Sequence, residues 1–128
     1  MRIELDFAAV LSQWPLLLKG MAVTLVLTAI AAVLGLALGV ACAWARTRGP
    51  LALRWLAASY VELVRNTPFI VQLYFVFFGL PALGVKLTPD AASVIAMVVN
   101  LGAYSAEIVR AGIEATPRGQ IEAAESLA

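Results

Sequence analysis

The feature that most constrains this chain is an uncharged run from Gly20 to Ala45, held between Lys19 and Arg46. As a helix rising ~1.5 Å per residue it would be about 39 Å long, more than the ~30 Å hydrocarbon core of a bilayer, so it reads as a membrane-crossing helix with room to tilt. Two more uncharged runs follow. Asn66 to Val85, between Arg65 and Lys86, matches one crossing at about 30 Å, and Ala91 to Ala106 gives about 24 Å, too short unless the helix continues past Glu107 and Arg110. Spans are therefore expected at about 20–45, 58–81 and 90–112, the second beginning before Arg65 and ended by Pro81. With 62% of 128 residues hydrophobic and 13% charged, a water-soluble domain could not hide the apolar surface. The expected fold class is an all-α integral membrane protein, one transmembrane domain over residues 1–128, with three spans.

Other functions are excluded by composition. A net charge of +1 offers nothing to a nucleic acid, and one cysteine with no histidine excludes the usual Cys/His metal site. Cys42 reads as a small packing residue. Glu4 and Asp6 follow Arg2, and the first apolar run starts too late and runs too long for a signal peptide, so that segment is expected to stay in the mature protein. Ahead of it, Ile3, Phe7, Val10, Leu11 and Trp14 share one helical face, which suits an interfacial helix anchored by Trp14; a disordered leader is the alternative. Arg46, Arg48, Arg54 and Arg65 fall between the first two spans, whereas Lys86 alone lies between the second and third. The positive-inside rule then places the first loop in the cytoplasm, the N-terminus outside, and everything after the third span, Arg118 included, inside. Arg2 and Lys19 count weakly against this.

Several positions stand out within the spans. Gly35 and Gly39, extended by Ala31 and Ala43, form a ridge of small residues on which another helix backbone could approach closely. Around Arg65, Asn66, Thr67 and Pro68, the asparagine or threonine can cap a helix whose first turn takes the proline. Thr88 and Pro89 repeat that logic for the third span. In that span Asn100, Tyr104 and Glu107 share one face, a pattern that lines a pathway or bonds a neighbouring helix. Exposing Glu107 to mid-membrane lipid would cost at least ~2.5 kcal/mol, so it should face helices, water or the membrane surface, and Arg110 could pair with it. The break at Thr116–Pro117–Arg118–Gly119 precedes a restart at Gln120, rich in helix formers through Ala128.

The third span and its sequel, from Asn100 through Tyr104, Glu107, Arg110 and Gly112 to Gly119, Gln120, Ile121, Glu122, Ala123 and Ala124, resemble the permease subunits of bacterial ABC importers for polar amino acids. The resemblance covers nearly the whole chain: Leu17 to Gly20 leading into Thr24–Leu25, Tyr60 to Pro68 with Val71 to Leu73, and Phe78 to Pro81 all occur in family order. It implies an incomplete type I ABC importer permease fold in a bacterial inner membrane. It also implies that residues 116–128 carry the start of the cytoplasmic EAA motif, whose helix docks on the ATPase through Gln120, Ile121, Glu122, Ala123, Ala124, Glu125, Leu127 and Ala128. The family has glycine where this chain has Ala128, and it continues through about two further spans, so a fragment or a truncated product is expected.

The resemblance further implies a non-catalytic subunit that binds no cofactor itself, with ATP and Mg on a partner ATPase. Its partners would be a second permease subunit, identical or paralogous, two cytoplasmic ATPase subunits, a periplasmic or extracellular amino acid binding protein, and the bilayer. Arg65, Thr67, Pro68, Asn100, Tyr104 and Glu107 are the pathway or helix-contact candidates, with Gly35 and Gly39 for packing. The alternative is a small secondary transporter or channel subunit, oligomeric through Gly35 and Gly39, that uses Glu107 as an ion site. A third reading is a nonconducting assembly protein.

Overall fold

The computed structural model describes residues 7–127, so expectations that rest on Arg2, Ile3, Glu4, Asp6 and Ala128 lie outside the described residues. The described residues form helices and short connections, with no strand among them. A short helix α1, Phe7–Leu11, leads into α2, Trp14–Arg48, which has Pro15 in its first turn where a missing N–H costs nothing. At ~1.5 Å per residue α2 is about 52 Å long, beyond the uncharged run at both ends. Gly49 and Pro50 then turn the chain into α3, Leu51–Arg65. The arginine-rich connection expected as a loop is thus almost entirely helical.

The expected second span is not one helix. α3 ends at Arg65, and α4, Phe69–Tyr74, continues through a π-helical turn, Phe75–Gly79, into α5, Leu80–Ala82, with a bend of 107° at the break. Pro68 forces it: its fixed φ and absent N–H stop α3 from continuing, and its own backbone is extended, at ψ 139°. Neither Asn66 nor Thr67 caps α4, because Pro68 occupies the N-cap position, while the Thr67 hydroxyl turns back to donate to Leu63 O at 2.8 Å. The helix does end at Pro81 to within one residue, at Ala82. There Gly84, at φ +92°, closes a left-handed stop in which Val85 N–H reaches Leu80 O and Gly84 N–H reaches Pro81 O.

α6, Pro89–Ala115, is the third span, N-capped by Thr88, whose side chain accepts from Ala91 N at 3.3 Å. The chain breaks at Thr116–Pro117 and restarts as α7, Arg118–Glu125, two residues earlier than expected. α2 and α6 form the main interface. Ala31, Gly35, Gly39 and Ala43 of α2 are buried, as are Gly102, Ala103, Ser105 and Ala106 of α6. A Cβ added at Gly39 would sit 2.5 Å from Ser105 Cβ and 3.1 Å from Gly102 O, and one at Gly35 would sit 2.9 Å from the Leu101 side chain. The small-residue ridge is therefore used inside this chain. α3 packs into the same core through Val61 and Val64 against Ala103 and Ala106, with Cys42 as a packing neighbour. α4 and the π-helical turn pack by Leu73 and Val76 against Ala92 and Ala96.

If the backbones meet at Gly39, Gly39→Val should lower the stability of the detergent-solubilised protein by about 1–3 kcal/mol, the usual cost of overpacking. Gly20→Val should cost far less, since a side chain there meets open space. Thermal unfolding followed by tryptophan fluorescence would check both, and equal losses would refute the close contact.

Candidate functional site

The buried ridge of α2 does not end at Ala43; three residues on, the same face presents Arg46. On α6 the facing stripe runs through Ala103 and, one turn later, Glu107. The dry contact thus ends in opposite charges, and Arg46 Nη1 donates to Glu107 Oε2 at 2.6 Å, with side chains only 19% and 23% exposed. Arg110, one turn below Glu107, donates to the other carboxylate oxygen from Nε at 3.1 Å and also from its Nη2, and pairs in addition with Glu114. Arg65, the last residue of α3, brings a third guanidinium to 3.6 Å of Oε2 and lies 5.8 Å from the centre of the Tyr104 ring. One carboxylate therefore ties α2, α3 and α6 together. Beside it opens a polar cleft of about 410 Å³, walled by Arg46, Glu62, Arg65, Asn66, Tyr104 and Glu107.

A second polar centre sits at the bend. The Gln72 side-chain amide donates to Val64 O and to Thr67 O, both at 2.8 Å, so it serves a carbonyl at the end of α3 and one in the break itself. Its oxygen accepts from Asn100 Nδ2 of α6 at 3.3 Å. Between the two centres Tyr60 Oη donates to Val99 O at 2.6 Å, fastening α3 to α6. Backbone groups freed by a break inside a membrane must find protein partners, because lipid offers none. Gln72 supplies two of them here, and the Thr67 hydroxyl supplies another at Leu63 O.

The third element is α7. Every described residue from Arg118 to Leu127 is exposed, Ile121 and Leu127 among them, so Gln120, Ile121, Glu122, Ala123, Ala124, Glu125 and Leu127 all present themselves outward at the far end of α6.

The expected site residues thus fall into separate places. Glu107, Arg65 and Tyr104 meet at the charged cluster; Asn100 joins Gln72 instead, and Thr67 and Pro68 shape the bend. Gly35 and Gly39 lie in the α2–α6 contact. Two residues were missed as contributors. Arg46 was read as a flank of the first span and as one of the loop arginines that set orientation, yet its spacing of seven from Gly39 and three from Ala43 puts it on the buried ridge. Gln72, a lone amide in an apolar run four residues after Pro68, was a signal that a break needed a partner.

Comparison with known proteins completes the picture. Residues 35–128 match the family described as binding-protein-dependent transport system inner membrane component. The arginine transport system permease ArtQ of Bacillus subtilis (strain 168) is 40% identical over 98% of this chain and 58% of its own length. The L-cystine transport system permease TcyB of the same organism is 42% identical over 88% of this chain and 48% of its own. A solved structure described as an amino acid ABC transporter with histidines superposes with a TM-score of 0.88 at 38% identity, over 98% of this chain and 58% of that one. The chain therefore spans about half to three-fifths of the length of these relatives. The family match over residues 35–128, the identity to curated permeases and the shared fold agree: this protein belongs to the family of inner membrane components of binding-protein-dependent transport systems.

Proposed function

We propose that this chain is the front part of the membrane-spanning permease of an ATP-driven amino acid importer, forming part of the translocation pathway and receiving motion from an ATPase through α7. The observation that carries the proposal is α7 itself, an exposed helix hung from the end of α6 by the Thr116–Pro117 break. A helix with nothing buried gains nothing from packing against the described residues, which supports a partner at its surface. Relatives whose names specify arginine, cystine and glutamine transport support amino acids as the cargo class. The clustering of Arg46, Arg65 and Arg110 supports that end of the bundle as cytoplasmic. The N-terminus is then outside and α7 faces the cytoplasm.

In this scheme a second permease subunit completes the path, a binding protein delivers the amino acid, and ATP with Mg is hydrolysed on two partner subunits. The permease makes and breaks no covalent bond. Its work is to convert movement of α7 into rearrangement of the spans, a coupling between two sites through an element with two arrangements. Glu122 is the expected anchor, its exposed carboxylate making charge-assisted hydrogen bonds to the ATPase. The secondary-transporter alternative loses ground on two observations: the Gly35/Gly39 face is filled by α6, and both oxygens of Glu107 are held by arginines.

Two measurements test this. In the full-length permease reconstituted with its ATPase, Glu122→Ala should cut uptake about tenfold or more, the effect of losing one charge-assisted hydrogen bond. Normal uptake and assembly would sink the docking role. Glu107→Gln leaves Arg46 short of its counter-charge, so stability should fall by about 1–3 kcal/mol, less than the ~3–5 kcal/mol of a fully buried pair. Residual uptake should still require ATP, whereas uptake driven by a proton gradient through Glu107 would restore the alternative.

A further inference from the structure

The bend at residues 66–68 divides the chain into a fastened part and an arm. α3 is tied to α6 before the bend by Tyr60 to Val99 O and at its last residue by Arg65 to Glu107. Beyond the bend, α4 is joined to α6 by one polar side-chain link among the described residues, from Asn100 to Gln72. Gln72 belongs to the arm, yet its two N–H groups reach back across the bend to Val64 O and Thr67 O. A primary amide can face in only one of two directions for a given side-chain placement, and here the two carbonyls hold its N–H side while a donor to its oxygen holds the other end. Asn100 supplies that donor, from Nδ2. The asparagine makes no bond to the bend itself and satisfies none of its carbonyls.

We infer that Asn100 is a positioning residue: by holding the oxygen of Gln72 it keeps the amide donors on Val64 and Thr67, so that movement of α6 is passed to the angle between α3 and α4. This deepens the proposed function and rests on it, since α6 is the helix that carries α7 at its end. Loss of the bond would leave the arm on α6 only through the apolar packing of Leu73 and Val76 against Ala92 and Ala96, which does not fix the angle at the bend. The spans could then still bind the ATPase through α7 while the aromatic arm, with Tyr74 stacked on Phe78 at 5.6 Å, no longer followed.

The test uses the full-length permease with its ATPase in proteoliposomes, in a Cys42→Ala background. Spin labels at exposed positions 63 and 78, through Leu63→Cys and Phe78→Cys, report the distance across the bend. Asn100→Leu should keep assembly and thermal stability near those of the parent, broaden the distance distribution, and lower amino acid taken up per ATP hydrolysed about threefold or more, within the range seen for mutations that alter coupling. Gln72→Met should do the same, and adding Asn100→Leu to it should change nothing further, because the asparagine acts only through the amide. An unchanged ratio and distribution in Asn100→Leu, additive effects in the double variant, or failure of Asn100→Leu to assemble would each overturn the inference. If the parent takes up no amino acid at all, the proposed function fails instead, and the distance across the bend still decides whether Asn100 holds it.

Discussion

The near-contact of the α2 and α6 backbones at Gly39 and Gly102 is the constraint on which the rest of this structure depends. In lipid there is no hydrophobic gain in hiding a leucine from its surroundings, so association comes from close van der Waals contact and from polar bonds, and both improve as backbones approach. That reverses the usual division of residues. The buried positions are alanine, glycine, serine and a few valines, whereas Leu25, Val33, Leu36, Trp44, Leu56, Phe75 and Ile108 are exposed. Large side chains would hold the helices apart, and with them apart Arg46 could not reach Glu107. The ion pair is a consequence of the small residues above it, and its burial is tolerable because three guanidiniums share the carboxylate.

The bend follows from a second constraint. A chain inside a bilayer can abandon helical hydrogen bonding only where protein replaces it. At the far end of the arm the backbone is repaired by the backbone: the π-helical turn accommodates Pro81, with Leu80 N–H bonded to Phe75 O, and Gly84 closes the stop. At residues 66–68 the backbone supplies part of the repair, through Thr67 N–H to Val64 O, and side chains supply more, the Thr67 hydroxyl locally and the Gln72 amide from the arm. A break whose repair depends on a side chain can be regulated by whatever holds that side chain, which the π-helical turn cannot.

Much of this was legible in the sequence because it was written in spacing and in proline. The three apolar runs, the ridge at Ala31, Gly35, Gly39 and Ala43, the cap at Thr88 and the restart after Pro117 each follow from a local rule, and each has its counterpart in the fold. What the sequence hid was long-range. That Arg46 meets Glu107, sixty-one positions away, depends on the relative register of two helices, which neither helix records by itself. That the second span bends depends on competition between Pro68 and the hydrophobic run around it; the run favoured one crossing, and the proline won because Gln72 made its break affordable. Asn100, Tyr104 and Glu107 do share a face, but α3 and α4 meet that face at different heights, so the three end in two centres instead of one.

The geometry also decides where this assembly can yield. α6 runs unbroken from Pro89 to Ala115, about 40 Å at ~1.5 Å per residue, and lies against α2 with no room for a methyl group at Gly39. A helix so closely packed resists bending, since local curvature would drive Ser105 into the α2 backbone; it can tilt or slide only as a body, and packed interfaces of this kind shift between discrete arrangements. In the proposed coupling, displacement applied at the Thr116–Pro117 break would move the helix as a body. It would emerge where α6 touches something less rigid, and beside Asn100 that is the bend, held by the Gln72 amide together with the local bonds of Thr67.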